Sequence, residues 1–115
     1  MDNIKKQDSE DDLLARSLPL EGLVQYQPAA VVSRTVLNRP TGTVTLFAFD
    51  QGQELSEHTA PFEAMVVCLD GQAEVTIAGQ AHALRRGEMI IMPAHKPHAL
   101  KATTRFKMLL VMIRG

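Results

Sequence analysis

Histidine is the residue type in this chain that is best suited to chemistry, and two of its four histidines occur in similar settings. His58 follows Gly52 and precedes an apolar segment, whereas His98 follows Gly87 and a turn between two prolines. An imidazole can bind a metal, form hydrogen bonds, or exchange a proton near neutral pH. We therefore predict that His58 and His98 form the functional site and point into one cavity.

The glycines and prolines around these histidines follow a regular order. Five residues separate Gly52 from His58, Gly71 closes that stretch, and the second stretch runs from Gly87 through Pro93 to His98. This pattern resembles the two motifs of the cupins, G-x5-H-x-H-x3,4-E-x6-G and G-x5-P-x-G-x2-H-x3-N. The resemblance spans roughly residues 30–113. It implies a small β-barrel that holds a metal on three histidines and a glutamate.

Two of the four implied ligand positions hold alanine instead. Ala60 stands where the second histidine belongs, and Ala64 stands where the glutamate belongs. Glu63 is adjacent, but neighbouring side chains of a strand point to opposite faces, so it should not replace the missing acid. His58 and His98 are left as the predicted metal ligands. They would hold a divalent ion such as zinc, nickel, iron or manganese only weakly.

Other residues have more than one interpretation. Water, a substrate, or a side chain such as His95 or His82 would complete a metal shell, whereas without a metal His58 and His98 would be neutral and hydrogen-bonded in a pocket. His95 occupies the glycine position of the second motif, where we expect a conformational role. Six methionines should fill apolar gaps, with a copper site of methionine and histidine as the less favoured alternative.

Three functional hypotheses follow from these residues. The leading one is a small-molecule-binding cupin of unknown specificity with a degenerate two-histidine site, because two alanines leave an apolar opening in the barrel. The alternative is a metal-dependent enzyme of the dioxygenase or isomerase type, in which His58 and His98 hold the metal. The third is a domain that serves mainly for association. We assign no catalytic residue, and enzyme activity stays an open question.

Composition narrows the possible partners and location. Twelve basic and thirteen acidic side chains give a net charge of −1, so no overall field attracts nucleic acid or an anionic membrane. The longest apolar run, Met108–Ile113, is much too short to span a bilayer as a helix. The single Cys68 excludes an internal disulfide and should be a small buried hydrophobe. We therefore predict a cytoplasmic protein without nucleic-acid or membrane partners.

The strand pattern predicts the fold that positions the histidines. Short β-type segments at even spacing follow residue 30, and Asp70–Gly71 between two apolar segments predicts a hairpin. The fold class is therefore all-β, an antiparallel double-stranded β-helix of the cupin or jelly-roll type over residues 20–115. Residues 1–19 are predicted to be a mobile segment with a short helix that begins near Ser9 and stops before Pro19.

The chain is also predicted to form a homodimer. The segments Met89–Met92 and Met108–Ile113 are apolar at consecutive positions, which indicates strands covered on both faces. Leu23–Tyr26 is read as a short strand, and residues 20–26 would add an edge strand to the sheet of a second copy.

Overall fold

The computed structural model describes residues 4–6 and 13–114, which form two β-sheets packed face to face. The strands are β1 (Ile4–Lys6), β2 (Val31–Arg39), β3 (Gly42–Phe49), β4 (Glu54–His58), β5 (Glu63–Asp70), β6 (Gln72–Ile77), β7 (Gln80–Arg85), β8 (Met89–Met92), β9 (His98–Ala102) and β10 (Phe106–Ile113). One sheet has the order β1-β2-β3-β10-β5-β8, and the other has the order β4-β9-β6-β7. Neighbouring strands are antiparallel except β1 and β2, which are parallel. The predicted all-β jelly-roll architecture is confirmed.

The core lies between the two sheets, and strand alternation decides which side chains reach it. Along β5, Ala64, Val66 and Cys68 are buried, whereas the intervening residues point to the other face. Phe49 and Phe106 are fully buried, with ring centroids 5.6 Å apart. Because alternate residues of β5 point inwards, the side chain of Ala64 faces the barrel interior, as expected for the position that corresponds to the glutamate of the first cupin motif.

The turn at Gly71 is where the sequence predicts it, but the predicted hairpin is wrong. β5 and β6 lie in different sheets, so the chain crosses from one sheet to the other at Gly71, which has a φ of 72°. A β-carbon there would overlap the Arg105 carbonyl oxygen. The two-residue hairpin is instead at Ala78–Gly79, between β6 and β7, where both φ angles are positive as a type I′ turn requires.

The segment before residue 30 differs from the prediction. Of the predicted helix, Ser9 to Asp12 lie outside the described residues, and residues 13–19 form no α-helix. Leu20–Leu23 is a turn of 3₁₀-helix, Val24 is extended, and residues 24–26 belong to no strand, so the strand predicted at Leu23–Tyr26 is wrong.

This segment packs on the outer face of the six-stranded sheet of its own chain. Val24 is fully buried there. Arg34 donates a hydrogen bond to the Leu23 carbonyl oxygen at 3.1 Å, and Lys107 donates one to the Glu21 carbonyl oxygen at 2.8 Å. The side chains of two distant strands therefore satisfy carbonyl groups at the end of the 3₁₀ turn, and the segment is not available as an edge strand for a second copy.

Part of the outer face of the six-stranded sheet is left uncovered in the described structure. Met89, Ile91 and Ile113 are each more than half exposed. The homodimer stays a prediction that light scattering would test. The division of the chain into a segment of residues 1–19 and a barrel domain of residues 20–115 also stays a prediction, although Ile4–Lys6 pairs with β2. No helix among the described residues is long and apolar enough to cross a membrane.

Candidate functional site

The two predicted site histidines are cross-strand partners. His58 ends β4 and His98 begins β9, and the ladder between these strands pairs them directly after an irregularity that follows Leu55. Directly opposite residues of an antiparallel pair project from the same face. Their Nε2 atoms are 3.1 Å apart, and their rings meet edge to face with centroids 4.4 Å apart. The prediction that both imidazoles point into one cavity is confirmed.

Backbone hydrogen bonds fix the tautomer of each ring. The Nδ1 atom of His58 is 2.8 Å from the Ser56 carbonyl oxygen, and that of His98 is 3.1 Å from the Lys96 carbonyl oxygen. A carbonyl oxygen only accepts hydrogen bonds, so each Nδ1 must carry the proton. In the neutral rings both Nε2 atoms are therefore bare acceptors, and they face each other. A proton, a cation or the donor group of a ligand must satisfy them.

The two histidines differ in burial. His98 is 5% exposed, whereas His58 is exposed at the opening of the cavity. Burial, and then the proximity of His58, lowers the pKa of His98 below its usual 6.5. His98 is therefore neutral at pH 7 and presents its Nε2 lone pair to the cavity.

The cavity beneath the histidines is small and mainly apolar. Its volume is about 50 Å³, enough for about three to five water-sized groups. The side chains that line it come from both sheets and are aliphatic, alanine or methionine apart from the two histidines; they include Leu55, Val66, Leu100 and Leu110. Among the described residues none with a carboxylate lines this cavity. The cavity is therefore too small to enclose a large ligand.

Both alanines that replace the implied ligands line this cavity. Ala64 is 4% exposed on β5, and Ala60 lies in the segment between β4 and β5. The Ala60 carbonyl oxygen accepts a 2.7 Å hydrogen bond from the amide of His95, which holds the two site segments together. The missing ligands thus leave methyl groups beside the histidine pair.

The other residues considered as metal ligands lie outside the cavity. His95 has a φ of 66°, so its predicted conformational role at the glycine position is confirmed, and its side chain is exposed. His82 lies on β7 away from the histidine pair, and Glu63 is exposed on the opposite face of β5. The idea that His82 or His95 completes the site is wrong. No group of three or more histidine, cysteine or acidic residues in the described chain could hold a metal.

The donor set therefore fits a divalent metal only in part. Two ligands about 2.1 Å from one ion stand about 3.0 Å apart in an octahedral arrangement and about 3.4 Å apart in a tetrahedral one, and the 3.1 Å between the Nε2 atoms lies within this range. Metal-binding histidines also typically donate the other ring N–H to a carbonyl group, as both do here. However, catalytic zinc sites use three protein ligands and structural sites use four, whereas this cavity supplies two imidazoles.

Three methionines that the sequence analysis assigned to core filling line the same cavity. They are Met92, Met108 and Met112. In the strand register, Met92 of β8 and Met112 of β10 are the partners of Ala64 on its two sides. Sequence reasoning missed this arrangement because strand pairing, and not sequence spacing, brings β8 and β10 to either side of β5.

Cys68 lies deeper on the same strand as Ala64. It is 1% exposed, and burial raises its pKa to about 11, so the thiol is protonated at neutral pH. The prediction that Cys68 is a small buried hydrophobe is confirmed.

Comparisons with known proteins agree with this fold. The family model for the cupin domain matches residues 45–114. A conserved protein of unknown function from Streptococcus pyogenes is 40% identical, with a TM-score of 0.84 over 88% of this chain and 89% of that one. A cupin superfamily protein from Desulfitobacterium hafniense is 30% identical, with a TM-score of 0.83 over 88% of this chain and 93% of that one.

A more distant likeness concerns the fold alone. The salicylate 1,2-dioxygenase of Pseudaminobacter salicylatoxidans is 19% identical, with a TM-score of 0.68 over 76% of this chain and 27% of that one. No curated protein matches the chain. The family model covers more than half of the sequence, and two solved structures share at least 30% identity over most of it. The chain belongs to the cupin family.

Proposed function

We propose that this cupin binds a small molecule in the cavity beneath His58 and His98. The observation that carries the proposal is the pair of Nε2 atoms, 3.1 Å apart at the opening of an apolar cavity, on rings whose Nδ1 atoms face backbone carbonyl groups. Binding sites commonly combine apolar walls with a few converging polar groups that fix orientation. Here the walls supply affinity, and the imidazoles select for a hydroxyl or carboxyl group on the ligand.

The size of the cavity limits the ligand. A volume of about 50 Å³ accommodates about three to five non-hydrogen atoms within the barrel. Small ligands gain at most about 1.5 kcal/mol per non-hydrogen atom, so the affinity for such a fragment will be modest. A short-chain alcohol or carboxylic acid fits both the apolar walls and the histidine pair.

Methionine-methyl NMR tests this proposal because the chain carries its own internal control. The methyl groups of Met92, Met108 and Met112 line the cavity, whereas Met65 and Met89 are on the outer face of the sheet. Titration with 1-propanol or propionate should shift the three cavity methyls and the histidine ring protons in a saturable way. The two outer methyls should not move.

A cavity-filling variant makes the test specific. Ala64→Leu places a larger side chain in the cavity and should abolish the shifts, at a cost of about 1–3 kcal/mol from overpacking. The matched control is Met65→Leu, one residue away on the opposite face of β5. The proposal is wrong if neither probe shifts the cavity methyls, or if inner and outer methyls shift equally.

A metal-dependent enzyme is the second candidate, and the tautomers of the histidine pair favour it. Both Nδ1 atoms are held by carbonyl groups, so both Nε2 atoms are free to bind zinc, nickel, iron or manganese. Such an ion would supply Lewis-acid or redox chemistry to a bound substrate. Elemental analysis of protein purified without added metal would show one ion per chain on this account. Its absence, with no zinc or nickel binding on titration, would exclude it.

A further inference from the structure

The inner face of the six-stranded sheet carries a row of side chains that the function above uses only as apolar walls. Met92 of β8, Ala64 of β5 and Met112 of β10 are paired across three adjacent strands. All three line the cavity that contains the histidine rings. In this row just the methyl group of Ala64 stands between the two methionines. Both methionines border the same cavity as the imidazoles.

Two kinds of donor group line the cavity: the imidazoles of the histidine pair and the thioethers of three methionines. Met108 is paired with Cys68, whereas Met92 and Met112 flank Ala64, so these two are the candidates to act with the histidines. A thioether carries no charge, and no lining residue in the described chain supplies a carboxylate. Thioether ligands are soft and select Cu(I), whereas the carboxylates and waters that hard divalent ions prefer are missing from this set.

We propose that His58, His98, Met92 and Met112 form a binding site for a Cu(I) ion. Charge favours this ion over a divalent one, because the cost of transferring an ion from water to an apolar medium rises with the square of its charge. By the Born treatment a monovalent ion has about a quarter of the cost of a divalent ion of the same size. Neutral ligands do not offset a second positive charge, so the apolar walls discriminate against zinc and nickel.

The burial of the ligands agrees with this assignment. Met92 is 7% exposed and His98 is 5% exposed, while His58 is exposed at the opening. An ion therefore has a route in past His58 and a largely dry site behind it. The inference uses the cavity of the proposed function but names a different occupant, since a short alcohol can bind there whether or not Cu(I) does.

A competition titration tests the Cu(I) site. Under anaerobic conditions, the protein should withdraw one Cu(I) per chain from the chromogenic chelator bicinchoninate. The double variant Met92→Leu with Met112→Leu should weaken Cu(I) binding at least tenfold, while zinc binding changes less than twofold. His58→Ala should weaken both. Met89→Leu is the matched control, because Met89 lies on β8 but is 52% exposed on the other face, and it should change neither.

A measurement on the unaltered protein guards against a variant that fails to fold. X-ray absorption of the Cu(I)-loaded protein should show both nitrogen and sulfur in the first coordination shell. A shell with nitrogen or oxygen alone, or a protein that takes no Cu(I) from the chelator, overturns the inference. Equal Cu(I) affinity in the unaltered protein and the double methionine variant does the same. If 1-propanol still shifts the cavity methyls in these cases, the proposed function stands and only the copper site is wrong.

Discussion

Restoring the two missing ligands should convert the histidine pair into a strong site for a divalent metal. Ala60 and Ala64 both line the cavity with His58 and His98, so Ala60→His with Ala64→Glu adds an imidazole and a carboxylate at the required positions. We expect zinc or nickel to bind at least tenfold more tightly, which is about 1.4 kcal/mol. Calorimetric titration of the double variant and the parent protein measures this difference directly.

The same variant should be less stable without metal. Position 64 is 4% exposed and lies between two methionines, so a carboxyl group there has no hydrogen-bond partner on the neighbouring strands. An uncompensated buried polar group costs about 1–3 kcal/mol. A metal present at a hundred times its dissociation constant raises the free energy of unfolding by about 2.7 kcal/mol. The free energy of unfolding in urea should therefore fall in chelator and recover with zinc.

Two further variants make this result interpretable. Met65→Glu places an acid one residue along β5 on the outer face, and it should change neither metal affinity nor the response of stability to zinc. His58→Ala in the double variant should abolish the gain. If the double variant folds by circular dichroism but binds zinc no better than the parent, Ala60 and Ala64 do not occupy ligand positions.

Three other predictions concern stability. Because the pKa of His98 is lowered in the folded protein, the unfolded chain binds a proton at a higher pH than the folded protein does. The free energy of unfolding, measured by urea denaturation in chelator, should therefore be greatest above pH 6.5 and fall as the pH drops below it. His98→Gln should weaken this pH dependence. Tyr26→Phe removes a 2.6 Å hydrogen bond to Asp70 and should cost about 1–2 kcal/mol in chemical denaturation; an unchanged midpoint would contradict this. Gly71→Ala should lower the melting temperature far more than Gly79→Ala does. Both positions have a positive φ, but only at Gly71 would a β-carbon overlap a backbone carbonyl group. Equal melting temperatures would refute the steric argument.

Much of the site could be predicted from local sequence. The spacing from Gly52 to His58 and from Gly87 to His98 places both rings correctly, since each stretch carries its own turn and the start or end of its strand. The parity of β5 likewise gave the inward direction of Ala64. These features depend on a few neighbouring residues, so one sequence is enough to find them.

Features that depend on distant partners were missed. β4, with the sequence ELSEH, has one apolar residue and forms a strand because it pairs with β9, so no hydrophobic pattern indicates it. The segment of residues 20–26 has the composition of a strand, yet it begins as a 3₁₀ turn whose carbonyl groups accept hydrogen bonds from Arg34 and Lys107. The methionines beside Ala64 are brought together by the register of three strands.

The state of the two imidazoles tests the central claim most directly, because every kind of binding considered for this cavity requires bare Nε2 atoms. Nitrogen-15 NMR of the histidine rings, at neutral pH in chelator, separates the two neutral tautomers and the imidazolium form. The structure predicts a protonated Nδ1 on both rings, and an unprotonated Nε2 on His98 in particular, since the carbonyl groups of Ser56 and Lys96 accept from Nδ1. A neutral His98 with its proton on Nε2 would contradict the account.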